Sequence, residues 1–425
     1  MNGYAVGFLY SLLFYLLVPF ILLRLAYKGR RVPGYRSRWR ERFALQPIPE
    51  SERGAIWVHA VSVGEVEAVV PLIRALQARG RVLLTTTTPT GSARVQSLFG
   101  NTVSHVYLPY DLPDAVQRFL DGYRPPMAIF MELEIWPNLF AGCGKRAIPL
   151  FLINARLSEK SARGYRRLPG FVAATLANVT RLCAQGETDA ARFAALGLPA
   201  DRIVVTGSIK FDLELPEDLP ARGRLLRASL FGQRPVWIAA STHAGEEEQV
   251  LEVFQGLRRD YPDLLLLLAP RHPERASEIC SLCRQRGLRY LTRTAGMPCT
   301  SDTAVFILDT LGELKQFYGA GDIAFIGGSL VPAGGHNVLE PAALGVPILF
   351  GPLMDNFIEI SRKLLAEQGA VQISHRSELS DEVSRLLADP AARERLGENA
   401  RRFLTANRGA LQATLRCLPG AFQKD

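Results

Sequence analysis

Acidic side chains follow two apolar segments in the first half of the chain. The run from Trp57 to Glu65 (WVHAVSVGE) leads from an apolar segment through a tight turn into a helical pattern, and Glu132 and Glu134 directly follow Met127–Met131. A carboxylate in such a turn can act as a general base, but an acid in a first helical turn can also merely stabilise the helix dipole. Neighbouring carboxylates raise each other's pKa, which is typical of functional sites. For Glu65 both interpretations stay open on this motif alone, and for the Glu132–Glu134 pair the alternative is a helix N-terminal acid pair.

Basic side chains follow other apolar segments. Arg156 suits an acidic substrate, and Lys210 in the segment Gly207–Asp212 could neutralise developing negative charge, although an isolated lysine is more often a surface residue. Arg271 and His272 add two potential cations after a leucine-rich segment. The sequence contains no Asp-x-Asp cluster, so we expect no metal ion and no other cofactor.

A glycine-rich turn lies in the stretch Gly328–Leu353 (GSLVPAGGHNVLEPAALGVPILFGPL). Gly334 and Gly335 would let backbone N–H groups approach a ligand, and the N-terminus of the following helix favours an anion such as a phosphate. Glu340, just inside that helix, could take the hydroxyls of a ribose. Alternatively, the glycines only make turns in a βαβ unit. The sequel His-Asn-x-x-Glu favours a sugar-nucleotide site.

The candidate residues named above can form a site only if the strands that precede them end at the same edge of a sheet. Short apolar segments alternate with helical patterns of ten or more residues, which predicts parallel sheets covered on both faces. The predicted strands of the first half are 55–59, 82–87, 106–108, 127–131, 148–153 and 203–206, and those of the second half are 236–240, 264–269, 290–291, 304–307, 323–326 and 348–350. Residues 213–234 break the pattern and are predicted as a linker with an entry helix. We therefore expect an α/β protein with domains at 25–212 and 235–425 and a ligand cleft between them.

The first 24 residues are predicted to be a membrane anchor. Residues 1–23 contain no charged side chain, and about 20 apolar residues suffice to cross the hydrocarbon core of a bilayer. A cleaved signal peptide would need a basic start and a small-residue cleavage site, which are missing here. A buried core helix and a helix lying partly inserted in the membrane remain the alternatives.

Basic residues follow this segment directly, from Arg24 to Arg42. Because Lys and Arg concentrate on the cytoplasmic side, we expect the N-terminus to face outward and everything after Arg24 to be cytoplasmic. The net charge of +9 suggests an anionic partner. Anionic lipid headgroups explain the position of these charges better than nucleic acid, for which the sequence has no recognised motif. Cys280 and Cys283 have zinc spacing without a fourth ligand, so we expect reduced thiols.

Taken together, the motifs resemble the 3-deoxy-D-manno-octulosonic acid (Kdo) transferases over nearly the whole chain. The matching pieces are HAVSVGE (59–65), TTTTPTGS (85–92), LPYDLP (108–113), MELEIWPN (131–138), NARLSEKS (154–161), GSIKFD (207–212), STHAGEE (241–247), PRHPER (270–275), GEL (312–314) and GGHNVLEP (334–341). Val338 stands where we expect proline in most relatives, and Leu133 where a small polar residue is common.

The resemblance implies two Rossmann-like domains facing across a cleft, of the B type of glycosyltransferase. The donor would be CMP-Kdo, the acceptor the tetraacyl lipid A precursor of lipopolysaccharide, and the anomeric centre would be inverted without a metal. Glu65 would be the general base, and Glu132 and Lys210 would stabilise the transition state. The implied CMP-binding residues are Arg271, His272, Gly312, Glu313, Leu314, Asn337, Val338, Leu339 and Glu340. The rival interpretations are a transferase for another sugar nucleotide and a non-catalytic lipid-binding protein.

Overall fold

In the computed structural model the chain divides into two compact units. The structure describes residues 3–32, 34–213 and 215–419. The first unit comprises residues 1–213 together with 408–425, and the second comprises 214–407. Met1 and Asn2 of the predicted anchor, Pro33, Glu214 of the predicted linker and residues 420–425 of the predicted second domain lie outside the described residues.

Each unit contains one sheet of seven parallel strands. The strands of the first sheet are β1 Ile56–His59, β2 Val82–Thr86, β3 Ser104–Tyr107, β4 Ala128–Met131, β5 Leu150–Ala155, β6 Arg181–Ala184 and β7 Ile203–Val205. Those of the second are β8 Val236–Thr242, β9 Leu265–Pro270, β10 Tyr290–Thr292, β11 Val305–Ile307, β12 Ile323–Ile326, β13 Ile348–Phe350 and β14 Val371–Gln372. The predicted α/β fold is confirmed, and β6 and β14 are strands that the sequence pattern did not predict.

Helices connect the strands. In the first unit they are α1 Gly3–Arg31, α2 Gly34–Ser37, α3 Val63–Gln77, α4 Pro89–Phe99, α5 Pro113–Tyr123, α6 Pro137–Lys145, α7 Glu159–Tyr165, α8 Pro169–Leu176, α9 Glu187–Ala195 and, at the end of the chain, α18 Ala410–Cys417. In the second unit they are α10 Leu219–Leu230, α11 Glu246–Leu257, α12 Ala276–Gln285, α13 Leu314–Tyr318, α14 Leu339–Ala343, α15 Ile358–Ala366, α16 Arg376–Ala388 and α17 Pro390–Ala406.

The strand order creates a switch point in each sheet. The first sheet runs β3-β2-β1-β4-β5-β6-β7 and the second β10-β11-β9-β8-β12-β13-β14. The order of connection therefore reverses between β1 and β4 in one unit and between β8 and β12 in the other. Open α/β sheets bind ligands at this point, outside the carboxyl ends of the strands.

The central strands are buried on both faces, as the continuous apolar runs predict. Every residue of β1, β4 and β9 is buried. Trp57 of β1 packs against Phe119 and Phe130 with ring centroids 4.8 and 5.0 Å apart, and its indole N–H donates to the Thr85 hydroxyl at 2.9 Å. Rigid, dry strands of this kind hold the turns that follow them in fixed positions.

The observed division differs from the predicted domain boundaries at the C-terminus. The helix α18 packs on α3 and β6 of the first unit, and the Asp212 carboxylate accepts hydrogen bonds from the amides of Gly409 at 2.7 Å and Leu411 at 2.6 Å. The end of the chain therefore returns to the first unit. Residues 215–234 of the predicted linker 213–234 carry α10 of the second unit.

All six cysteines are free thiols, as expected. Among the described residues, one helix is long and apolar enough to cross a membrane, namely 6–30 within α1, with a mean hydropathy of 2.4.

Candidate active site at the two switch points

Glu65 lies at the switch point of the first sheet, in the first turn of α3. Its carboxylate accepts hydrogen bonds from the Val61 amide at 2.9 Å and from the Ser62 hydroxyl at 3.1 Å. Burial raises the pKa of Glu65 to about 7; the Val61 bond lowers it, and the negative charge of Glu132 raises it further. A carboxyl group with this pKa can accept a proton and release it again near neutral pH.

Glu132 and Lys210 form an ion pair beside Glu65. The Lys210 ammonium lies 2.8 Å from the Glu132 carboxylate, and both side chains are about one-quarter exposed. Glu132 directly follows β4 and has a positive φ of 56°, which is unfavourable for a residue with a side chain. Strain of this kind persists where the surrounding structure requires it, often at functional sites.

Glu134 is a further carboxyl group of this cluster. Burial raises its pKa to about 7, and the negative charge of Glu65 contributes to the increase. The structure thus brings together Glu65, Glu132, Glu134 and Lys210, which the sequence places up to 145 positions apart. We call these four residues the acidic cluster.

Two side chains hold the Lys210 turn in place. The buried Asn154 amide oxygen accepts a hydrogen bond from the Ile209 amide at 3.1 Å, and Asp212 binds the start of α18. Asn154 is the penultimate residue of β5 and has a positive φ of 51°. Sequence analysis did not assign a role to Asn154, although its position directly after an apolar segment was a usable signal.

In the second unit, the fully buried Glu246 organises the switch point. Its carboxylate accepts hydrogen bonds from the amides of His243 at 3.0 Å, Gly328 at 2.7 Å, Ser329 at 3.0 Å and Leu330 at 2.9 Å. The amides around the turn after β8 are therefore bound by the protein's own carboxylate. Sequence reasoning missed the role of Glu246. Its position, as an acidic residue in the first turn of a helix that follows a strand, could have indicated it.

Imidazoles and an arginine meet at the same edge. The Nε2 atoms of His243 and His336 are 2.8 Å apart, and their rings stack with an interplanar angle of 6°. The ring of His272 lies 6.0 Å from that of His243. Burial lowers the pKa of His336 to about 4, and the positive charge of Arg271 contributes. These four residues, the basic cluster, offer N–H donors suited to an anion.

The glycine turn is built mainly for chain geometry. Gly334 and Gly335 have φ values of 86° and 71°, and a Cβ atom on either would collide with Asn356 or Met354. The Gly335 amide donates to the Gly328 carbonyl at 2.7 Å. These contacts favour the interpretation that the glycines form a turn. The Gly335 amide, which was expected to approach a ligand, is hydrogen-bonded within the protein.

Asn337 precedes the short helix α14, and Glu340 lies in its first turn. The Glu340 carboxylate lies 3.5 Å from the Lys315 ammonium, which brings the segment 312–315 beside the segment 337–340. The Asn337 side chain accepts a hydrogen bond from the Leu339 amide at 2.9 Å. Val338 and Leu339 are buried in the core, so these two could meet a ligand only through their main chain.

Glu313 is paired inside the protein. Its carboxylate accepts hydrogen bonds from the Arg293 guanidinium, one of them at 2.9 Å, and from the Thr310 hydroxyl. The bond from Arg293 holds the pKa of Glu313 below its ordinary value. The neighbouring Gly312 has a φ of 82°, and Leu314 begins α13. The side chain of Glu313 thus stabilises this turn through its bonds to Arg293 and Thr310.

In the part of the chain that the structure describes, no group of three or more His, Cys, Asp or Glu side chains is arranged to hold a metal ion. The expectation of a reaction without a metal or other cofactor remains a prediction.

The two parallel sheets with their switch points have the fold of the B-type glycosyltransferases. The fold is similar to that of UDP-GlcNAc 2-epimerase from Neisseria meningitidis bound to UDP-GlcNAc, with a TM-score of 0.55 at 15% identity over 85% of this chain and 99% of that chain. The family model of 3-deoxy-D-manno-octulosonic-acid transferase (Kdo transferase) matches residues 37–213.

Curated relatives extend this match over the whole length. The chain is 40% identical to the 3-deoxy-D-manno-octulosonic acid transferase of Haemophilus influenzae, over 97% of each chain. It is 37% identical to that of Bordetella pertussis, over 95% of this chain and 96% of the relative. The chain belongs to the Kdo transferase family, and the resemblance inferred from its motifs is confirmed.

Proposed function

We propose that this enzyme transfers Kdo from CMP-Kdo to the tetraacyl lipid A precursor, with inversion, in lipopolysaccharide core biosynthesis. The observation that carries the proposal is the acidic cluster, in which a carboxyl group with a pKa of about 7 lies beside a lysine–carboxylate ion pair. Kdo transfer needs both a base for the acceptor hydroxyl and compensation for developing charge.

In the proposed reaction, Glu65 is the general base. The oxygen of an acceptor sugar hydroxyl attacks C2 of Kdo as its proton passes to the Glu65 carboxylate. The bond between C2 and the phosphate oxygen breaks, and its electron pair leaves with CMP. Attack from the side opposite to CMP inverts the configuration at C2. The hydrogen bonds from Val61 and Ser62 fix the carboxylate's orientation without removing its ability to accept a proton.

Lys210 and Glu132 stabilise the transition state in this proposal. Lys210 supplies a positive charge within a half-buried site, where electrostatic interactions are stronger than in water. Glu132 holds the ammonium in position through the ion pair. The anchoring of the Lys210 turn by Asn154 and Asp212 supports such a role, because a preorganised charge need not reorient during the reaction.

The donor nucleotide is assigned to the second unit. Arg271 and His272 would bind the phosphate, as the exposed members of the basic cluster. The carboxylate of Glu340 would take the ribose hydroxyls, and the main chain of Gly312–Leu314 and Asn337–Leu339 would line the nucleoside. CMP is a good leaving group once its phosphate is bound, so the proposal requires no metal or other cofactor.

We also place the enzyme on the inner membrane, with both units on the cytoplasmic face. The apolar segment of α1 supplies the attachment, and the basic residues that follow it match the anionic lipids of that face. The sequence alone favours a single membrane span for this helix. Nucleic acid is not a partner in this proposal.

Incubation of the purified full chain with CMP-Kdo and lipid A precursor, followed by mass spectrometry of the lipid, tests this function. We expect the lipid to gain the mass of Kdo while CMP is released. Parallel titrations with CMP and UDP distinguish the rival donor class. An unmodified lipid together with preferential UDP binding would overturn the proposal.

A further inference from the structure

One face of the apolar helix α1 is already bound to the first unit. The Tyr10 hydroxyl donates to the Asp111 carboxylate at 3.0 Å, the Ser11 hydroxyl contacts the Asn138 amide oxygen at 3.0 Å, and the Tyr15 hydroxyl donates to the Asp114 carboxylate at 2.6 Å. Tyr10, Ser11 and Tyr15 are all the polar side chains between residues 6 and 23. Each of them therefore has a polar partner on the catalytic unit.

The contact stripe runs along most of the helix. Less exposed positions recur every three or four residues, as on one face of a helix; they include Gly7, Ser11, Phe14, Val18, Ile21 and Leu25. Phe14 and Val18 pack on the buried cluster of Phe43, Leu112 and Ala115. At about 1.5 Å per residue, the 18 steps of this stripe cover roughly 27 Å. The segment long enough to cross a bilayer is thus the same segment that lies on the protein.

The opposite face of α1 is apolar and uncovered. Phe8, Leu16, Phe20 and Leu23 are each more than 60% exposed. Leu9, Leu12, Leu13 and Leu17 extend this surface at 40–56% exposure. Continuous apolar surfaces of this size on a soluble protein mark a contact with a membrane or with another protein.

We infer that α1 lies in the plane of the membrane. This inference rests on the membrane attachment proposed above and specifies its geometry. Its outer face enters the acyl region of the cytoplasmic leaflet, and its inner face stays on the first unit. A helix that crossed the bilayer would either lose its three hydrogen bonds or carry Asp114 and Arg118 into the hydrocarbon. These two side chains form an ion pair at 2.8 Å and are 50% and 40% exposed, so burying them in lipid would be costly.

The charges near the end of α1 match this orientation. Arg24, Lys28, Arg30, Arg36 and Arg40 are exposed and suit anionic headgroups. Tyr27 and Trp39 are also exposed, at 62% and 42%, and such aromatic rings favour the level of the headgroups.

Two basic residues of the same flank face inward instead. The Arg42 guanidinium lies 4.0 Å from the centre of the Tyr107 ring and donates to the Thr87 carbonyl at 3.0 Å. Arg38 donates to the Glu41 carboxylate at 2.6 Å and to the His105 carbonyl at 2.8 Å. The flank therefore divides into lipid-facing and structural residues. The outer face of α1 and the exposed basic residues that follow it therefore suit a membrane leaflet that contains anionic lipid.

The side of the membrane on which the N-terminus lies tests this inference. We would place a cysteine on a short Gly-Ser extension ahead of Met1 and treat intact spheroplasts with a membrane-impermeant maleimide. An in-plane helix predicts labelling of the extension only after lysis, because the extension stays in the cytoplasm with the catalytic units. A spanning helix predicts labelling in intact spheroplasts, and that result would overturn the inference. Recovery of the protein in the soluble fraction would instead overturn the membrane attachment itself.

A pair of variants provides a second readout. Tyr10→Phe removes a bond to the first unit and should lower the melting temperature of the detergent-solubilised enzyme by about 2–4 °C, with little change in vesicle binding. Leu16→Glu, on the outer face, should leave the melting temperature unchanged and reduce binding to vesicles of anionic phospholipid at least tenfold. Equal effects of the two variants on both measurements would contradict the assignment of an inner and an outer face.

Discussion

The switch points of the two sheets are formed in the same way, but the side chains around them carry opposite charges. In the first unit the turns after β1 and β4 carry Glu65, Glu132 and Glu134 with a single lysine. In the second unit the turns after β8 and β12 lead to His243 and His336, next to Arg271 and His272. One edge therefore concentrates carboxylates and the other concentrates cations and N–H donors.

Burial acts on the two clusters in opposite directions. It raises the pKa of Glu65 to about 7 and lowers that of His336 to about 4, because a low-dielectric environment disfavours the charged form of each group. The first cluster thereby gains a group that exchanges protons at neutral pH, whereas His336 stays neutral. The same type of scaffold thus presents a titratable carboxyl group in one unit and a neutral imidazole in the other.

The largest effect is expected from Glu65→Gln, which keeps the shape of the side chain but removes its basicity. Loss of a general base should reduce kcat about 10²–10⁴-fold. Binding of CMP should be unchanged, because Glu65 belongs to the first unit. Steady-state assays of CMP release and calorimetric titration with CMP measure the two quantities.

Glu67→Gln is the matched control for that experiment. Glu67 lies on the same helix and pairs with Arg94 at 3.0 Å, away from the acidic cluster. It should retain normal turnover. A Glu65→Gln enzyme as active as this control would refute the assignment of the base.

Lys210→Met should have the next largest effect. It removes the positive charge of the acidic cluster and leaves Glu132 unpaired, so we expect kcat to fall about 10²–10³-fold. Lys210→Arg should recover part of the activity because it restores the charge. If both variants lose activity only through a higher KM, the lysine binds substrate and does not stabilise the transition state.

A smaller effect, confined to binding, is expected from Glu340→Gln. Loss of the carboxylate proposed for the ribose hydroxyls should weaken CMP binding about tenfold, which corresponds to roughly 1.4 kcal/mol. Turnover at saturating donor should stay close to normal. The exposed Glu367→Gln at the end of α15 is the control, and equal CMP affinity in both variants would remove Glu340 from the nucleotide site.

The sequence predicted the sheets better than the details of the site. Twelve of the fourteen strands follow from apolar segments, but β14 has only two residues and β6 begins with Arg181, so neither has a clear apolar pattern. Glu65, Glu132 and Lys210 each follow a predicted strand, but their roles were predicted from the resemblance to the Kdo transferases.

Other features depend on tertiary contacts that no local pattern encodes. The four amides that bind Glu246 come from residues 82–84 positions away and from its own turn. The return of α18 to the first unit depends on Asp212, almost 200 residues earlier. The helical pattern of the C-terminal segment is the same whichever unit it packs against.

The pH dependence of kcat is the most direct test of the account. Because the base must be ionised to accept the acceptor's proton, and burial places the pKa of Glu65 near 7, turnover should rise with pH through a midpoint near 7. In Glu65→Gln, the residual activity should lose this rise. A wild-type rate that stays constant between about pH 5 and 8, or an identical profile in the variant, would contradict the role of Glu65.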